Sequence, residues 1–126
     1  MWPDYFPEQC PPAEARQDTL LVYRLVEGSP PTERDFQPTI VESPHRQFPP
    51  DKLCMASGVS VFKNPADARR KREKYKPLRE KKIARGTIQP EDGFVLETGE
   101  QSHVTWWLQT TTPHARFDEV LSDEPI

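Results

Sequence analysis

The sequence has little of what defines several common protein classes. Its 126 residues include only two cysteines and five glycines, and the mean hydropathy is -0.82. No apolar run approaches the ~18 residues that a membrane span needs. The first residues also lack the basic and apolar regions of a secretory signal. We therefore predict a protein without a membrane segment and with an intracellular, cytoplasmic location.

Cysteine and histidine patterns are equally sparse. Cys10 and Cys54 are too few for a disulfide framework, and no segment indicates an oxidising compartment, so free thiols are favoured over a single bridge between them. These cysteines and the three histidines lack metal-ligand spacings such as CxxC or HxxxH, and we predict no metal site. The sequence also contains no Walker loop, GxGxxG or GxSxG motif.

Proline, in contrast, is abundant, with fifteen residues that cluster outside the central region. The length predicts one domain. We divide it into a proline-rich N-terminal arm over residues 1–18, a core domain over 19–112 and an acidic tail over 113–126. Trp2, Tyr5 and Phe6 are expected to pack the arm onto the domain, and a partner-docking arm is the alternative.

Short alternating apolar runs predict strands in the core domain. Thr19–Val26 is apolar on both faces and is therefore expected to be a central strand. Cys54–Phe62 is a second candidate, in which Gly58 indicates a bulge or a close backbone approach. The remaining candidates are Ile83–Ile88, Gly93–Thr98 and His103–Gln109. With one main helix they predict an α+β fold, whose antiparallel or mixed sheet has four or five strands and whose loops are proline-rich.

Positive charge is concentrated in one segment. Lys63 to Arg85 holds eleven of the 17 Lys and Arg residues but three of the 20 acidic ones, which leaves +8 there and -11 elsewhere. Asn64 and Pro65 are typical of a helix start, and Pro77 should end or kink the helix. The predicted basic helical segment spans Asn64–Lys82. Its partner-binding side chains are Arg69, Arg70, Arg72, Lys74, Arg79, Lys81 and Lys82.

Clustered cations on a helix are typical of nucleic-acid binding, because phosphates attract them. The favoured function is therefore a small binding or regulatory module that presents this helix to nucleic acid or to an acidic protein, without a cofactor. The alternative is a solvated helix neutralised by the acidic remainder of the chain, in which each surface ion pair contributes only ~0–1 kcal/mol.

A second functional hypothesis starts from polar residues on apolar strands. Arg24 lies in VYRLV, Ser60 in GVSVF beside Gly58, and Glu97 in FVLETGE. This order resembles the ADP-ribosyltransferase superfamily, including its compact NAD-cleaving toxins. The resemblance implies that Arg24 helps hold NAD and that the Ser60 strand shapes the pocket. It also implies that Glu97 or Glu100 stabilises charge as the glycosidic bond breaks.

The resemblance thus predicts an NAD-using transferase or hydrolase, of the kind found in toxins or defence components, with Arg24, Ser60 and Glu97 as catalytic residues. The simpler interpretation is an Arg24–Glu97 ion pair beside packed serines. His103 and Trp107 share one face of the last strand candidate and are candidates for lining a ligand pocket, although a packed edge strand is the favoured interpretation.

Overall fold

The structure is a computed structural model that describes residues 2–99 and 101–121. In this part of the chain it contains one antiparallel sheet and a few short helices, so the predicted α+β class is confirmed. The sheet has six strands rather than four or five, in the order β4-β5-β2-β1-β3-β6. The strands are β1 Leu20–Val26, β2 Val59–Phe62, β3 Lys82–Ile88, β4 Gly93–Glu97, β5 His103–Leu108 and β6 Glu119–Val120.

Three α-helices lie in the described residues: α1 Thr39–Glu42, α2 Leu53–Ala56 and α3 Pro65–Lys74. Helix α3 begins as expected, because the Asn64 side chain accepts a hydrogen bond from the Ala66 amide at 2.9 Å. Short 3-10 helices complete the set at Glu33–Phe36, Pro50–Lys52, Lys76–Leu78, Pro90–Asp92 and Pro113–Arg116.

The predicted basic segment is therefore not one helix. Helix α3 ends at Lys74, ahead of the 3-10 helix that contains Pro77, because proline cannot continue the α-helical hydrogen-bond pattern. Arg79 and Lys81 follow in a turn, and Lys82 is the first residue of β3. Only the first part of the segment presents its cations on an α-helix.

The second predicted strand also begins later than expected. Its first residues form α2, where the Ser57 hydroxyl and amide both donate to the Leu53 carbonyl and close the helical turn. The predicted close approach at Gly58 is confirmed, because a Cβ there would lie 2.5 Å from Thr105 Cγ2 of β5. Gly58 thus lets the chain enter β2 directly against β5.

The sheet has an apolar core on each face. One core is covered by Phe36 and Phe117, which lie over Trp106 of β5. Full burial of such a side chain contributes about 1.5–3 kcal/mol. On the opposite face Ala68 of α3 belongs to a smaller cluster, together with Tyr23, Phe62 and Ile83.

The N-terminal arm packs on this framework, which agrees with the favoured interpretation of its aromatic residues. Trp2 stacks on Phe6 at 5.1 Å and meets Phe94 edge-on at 5.8 Å. The arm brings Cys10 beside Cys54 at the start of α2, and the two form a disulfide with a Cα–Cα distance of 5.5 Å. The prediction of free thiols was wrong, because sequence spacing did not reveal that the arm folds back onto α2.

Part of the predicted acidic tail belongs to the fold. Phe117 is 1% exposed, and β6 pairs with β3 through Ala84↔Val120 and Arg85↔Glu119. The rest of the predicted tail, residues 122–126, lies outside the described residues, as does Glu100. Residues 113–121 thus supply both an edge strand and a core side chain.

Candidate functional site

Arg24 is the charged residue that sequence analysis placed on an apolar strand face, and it is 9% exposed. Strands β1 and β2 pair at Tyr23↔Phe62. At the next residue, Arg24 Nη1 donates to the Ser60 carbonyl at 2.7 Å and Nε donates to the Asp35 carbonyl at 2.8 Å. Its guanidinium also lies 5.4 Å from the Phe36 ring centroid. Backbone carbonyls therefore accept the Arg24 hydrogen bonds that an ion pair with Glu97 would have used.

A half-buried carboxylate holds the Asp35 carbonyl in place. The Asp35 side chain accepts hydrogen bonds from the amides of Glu27, Gly28 and Thr32 at 2.8, 3.3 and 2.9 Å. Burial alone would raise the pKa of Asp35, but these three amides and the Arg24 charge lower it below its ordinary value. The loop between β1 and α1 is thereby fixed around the guanidinium.

Arg24 keeps its charge in this environment. Burial lowers the pKa of Arg24 to about 10, and the charges of Glu42 and Asp35 oppose that shift. A group with this pKa is protonated at neutral pH. Because its hydrogen bonds go to neutral carbonyls, the buried cation creates a positive potential that an anionic ligand would offset.

The guanidinium lines a cavity of about 290 Å³, here called the Arg24 pocket, which lies beside the β1–β2 junction. Ser60 of β2 lines the same cavity. Its lining carries four cations and one carboxylate, which are Arg24, Arg46, Lys71, Lys81 and Glu42. The net charge of the lining is thus +3 and favours an anion.

Lys71 is one of the charged pocket residues that sequence analysis missed, together with Arg46 and Glu42. It lies on α3 three positions after the fully buried Ala68, so the two share the helix face toward the sheet. Lys71 Nζ lies 5.8 Å from the Phe62 ring centroid, and burial, with a smaller effect of the Arg24 charge, lowers the pKa of Lys71. The three-residue spacing from Ala68 is the sequence signal that could have distinguished Lys71 from the exposed basic residues beside it.

A chain of polar side chains approaches the Arg24 pocket from β5. His103 Nδ1 lies 2.7 Å from the Thr98 carbonyl, and His103 Nε2 lies 2.9 Å from Ser60 Oγ. Because a carbonyl only accepts, Nδ1 is the protonated nitrogen of the neutral ring, and Nε2 accepts from the Ser60 hydroxyl. Thr98 Oγ1 in turn lies 2.7 Å from Thr105 Oγ1.

Burial lowers the pKa of His103, against the hydrogen bond to the Thr98 carbonyl, and the Lys71 charge lowers it further. The imidazole is therefore neutral at pH 7. His103 lines a second cavity of about 280 Å³, here called the His103 cavity, which shares Phe62 and Lys71 with the Arg24 pocket. The Arg24 pocket and the His103 cavity, which adjoin at Phe62 and Lys71, are together called the extended site below.

The other predicted site residues lie elsewhere. Glu97 is exposed at the end of β4 and forms ion pairs with Arg16 at 2.9 Å and Lys63 at 3.5 Å. These contacts, chiefly the Arg16 hydrogen bond, lower the pKa of Glu97 to about 2. Trp107 is fully buried and donates to the Cys54 carbonyl at 2.8 Å, so its ring does not reach the extended site. Of the two candidates for lining a pocket, His103 does so.

The seven predicted partner-binding cations divide into two groups. Arg72 and Lys81 are half-buried, and Arg72 Nη1 donates to the Lys81 carbonyl at 3.0 Å. Arg70 is exposed but pairs with Asp67 at 2.7 Å. The exposed members of the set are Arg69, Arg70, Lys74, Arg79 and Lys82.

No protein-family model, curated protein or solved structure matches the chain. Over residues 2–99 and 101–121, no helix is both long enough and apolar enough to cross a bilayer. Within the same ranges, no three or more His, Cys, Asp or Glu side chains are grouped so that they could hold a metal ion. The functional argument therefore depends on the geometry of the extended site.

Proposed function

We propose that the Arg24 pocket binds NAD and that the protein is an NAD-using transferase or hydrolase similar to the ADP-ribosyltransferase superfamily. The observation that carries this proposal is that Arg24 of β1 and Ser60 of β2 meet in one cavity with a positively charged lining. A pyrophosphate would receive charge-assisted hydrogen bonds from the guanidinium and ammonium groups there. The adjoining His103 cavity provides space for more of the nucleotide.

Cleavage of the glycosidic bond of NAD develops positive charge on the ribose, which a nearby carboxylate stabilises. The resemblance assigns this role to Glu97 or Glu100. Glu97 would first have to leave Arg16 and Lys63. Glu42 already lines the Arg24 pocket and interacts electrostatically with Arg24. Nicotinamide release by Glu42→Gln, Glu97→Gln and Glu100→Gln proteins tests which carboxylate has this role, because its loss should reduce the rate most.

NAD is expected to stabilise the folded protein, and a thermal melt measures this directly. A ligand at a hundredfold excess over its Kd stabilises by about 2.7 kcal/mol, which gives a clear rise in Tm. Arg24→Gln should abolish the rise. Because Arg24 also supports the fold, Lys71→Ala provides a second test, in which the rise should shrink strongly.

Lys52→Ala is the matched control, because Lys52 is exposed and does not line the Arg24 pocket. Its melting temperature should respond to NAD as that of the wild type does. An unchanged wild-type Tm in millimolar NAD would rule out the proposed pocket. An unchanged response in both pocket variants would place NAD at another site.

A second candidate function is polyanion binding by the exposed cations. It is favoured by the exposure of Arg69 and Lys74 on α3 and of Arg79 just beyond it, all on one continuous stretch of chain. Phosphate contacts by such residues give affinity without sequence specificity. The partner of this positively charged surface would be a nucleic acid or, alternatively, an acidic protein.

Binding of this kind has a characteristic salt dependence. The logarithm of the affinity for double-stranded DNA should fall linearly with the logarithm of salt, with a slope of about -0.9 for each phosphate contacted. Reversal of Arg69, Lys74 and Arg79 to glutamate should abolish binding in an electrophoretic mobility assay at low salt. Reversal of the exposed Arg34 and Lys52 is the control. Wild-type protein that binds neither DNA, RNA nor an acidic protein at low salt would exclude this function.

A further inference from the structure

Ser60 and His103 have the arrangement of a nucleophile and its base. Their reacting atoms, Ser60 Oγ and His103 Nε2, are 2.9 Å apart, within the range expected for proton transfer. The opposite ring nitrogen is held by the Thr98 carbonyl at 2.7 Å, which fixes both the tautomer and the ring orientation. Ser60, His103 and the Thr98 carbonyl thus form a hydrogen-bonded series of a nucleophile, a base and a group that orients the base.

We propose that Ser60 is a nucleophile activated by His103, and that its electrophile is the phosphorus of an anionic phosphate ester or anhydride. The proposal goes beyond the proposed function, because it places a second reaction, at phosphorus rather than at a glycosidic bond, in the same Arg24 pocket. It adds a covalent step at Ser60 that NAD binding does not require.

The choice of a phosphate substrate follows from the surroundings of Ser60. Arg24 bonds the Ser60 carbonyl at 2.7 Å, so the guanidinium lies next to the residue that carries the hydroxyl. Lys71 lines both cavities, the one with Ser60 and the one with His103. Both cations would offset charge on the equatorial oxygens of a phosphoryl group as it is attacked.

The step balances with the groups present. Ser60 Oγ forms a bond to phosphorus while its proton passes to His103 Nε2. The bond between phosphorus and the leaving oxygen breaks, and that oxygen keeps the electron pair. The imidazolium then returns the proton to the leaving oxygen, so the products are phosphorylated Ser60 and an alcohol or a shorter phosphate.

A fluorophosphonate probe tests the pair without NAD. The probe reacts with an activated serine to form a Ser–O–P bond and releases HF. Intact mass spectrometry of the wild-type protein should show one added phosphonate, and peptide mapping should locate it at Ser60. Ser60→Ala should abolish the modification, and His103→Gln should slow it by about 100-fold, since general bases contribute typically 10²–10⁴-fold.

Ser29→Ala is the control, because Ser29 is exposed and does not line the Arg24 pocket. Its labelling rate should equal that of the wild type. No labelling of the wild type, labelling that survives Ser60→Ala, or a His103→Gln protein that reacts at the wild-type rate would each overturn the proposal. Thermal melts with NAD on the same variants separate the two ideas: NAD stabilisation without labelling removes the nucleophile and leaves the NAD pocket.

Discussion

Replacing Phe117 with alanine is expected to lower the free energy of unfolding by about 3–5 kcal/mol. The Phe117 ring is 1% exposed and lies 4.8 Å from the Phe36 ring and 6.2 Å from that of Trp106. It also fills the space left by Gly86, where a Cβ would lie 2.6 Å from the Phe117 ring. Truncation leaves a void between three elements, which the rigid sheet cannot close. Urea unfolding followed by tryptophan fluorescence measures the loss.

Leu21→Ala is the matched control, because Leu21 is 50% exposed on β1. An exposed substitution of this kind usually changes stability by no more than about 0.5 kcal/mol. If Phe117→Ala were equally mild, residues 113–121 would not be part of the core. Natural domains have only about 5–15 kcal/mol of total stability, so the expected loss is a large share of it.

Sequence patterning predicted the longer strands well. Strands β1, β3, β4 and β5 begin and end within one residue of the predicted runs. Strand β6 was missed, since two residues carry no periodicity and their partners in β3 are distant in sequence. Phe117 stands alone among polar residues, so no pattern marked it as core.

The candidate site was only partly predictable. Arg24 was identified because a cation on an apolar face requires a partner, but its acceptors are carbonyls of Asp35 and Ser60, which no side-chain pattern reveals. Glu97 was assigned to the site because its place in FVLETGE resembles the late glutamate of the ADP-ribosyltransferase superfamily. At the end of β4 it instead meets Arg16 of the N-terminal arm. Its position shows that the order of residues along the chain does not specify which strand ends reach a cavity.

Removal of the Cys10–Cys54 bridge is expected to destabilise the protein by about 4 kcal/mol, from the chain-entropy relation for a loop of this size. The bridge joins residues separated by 44 positions and ties the N-terminal arm to α2. Helix α2 leads through Gly58 into β2, and the Cys54 carbonyl accepts a hydrogen bond from Trp107. Loss of the bridge should therefore also loosen the entry to the strand that carries Ser60.

Urea unfolding of the oxidised wild type, with and without dithiothreitol, measures this contribution. The urea midpoint of the wild type should fall when dithiothreitol is added. A Cys10→Ser, Cys54→Ser double variant should have this lower midpoint both with and without dithiothreitol. A wild-type midpoint that reductant leaves unchanged would contradict the prediction.

Alkylation of the protein in its native cells tests the predicted cytoplasmic location, because the cytoplasm keeps thiols reduced and therefore reactive. Cysteines that resist alkylation would contradict the predicted cytoplasmic location, and cysteines that react would show that the bridge is not formed in those cells.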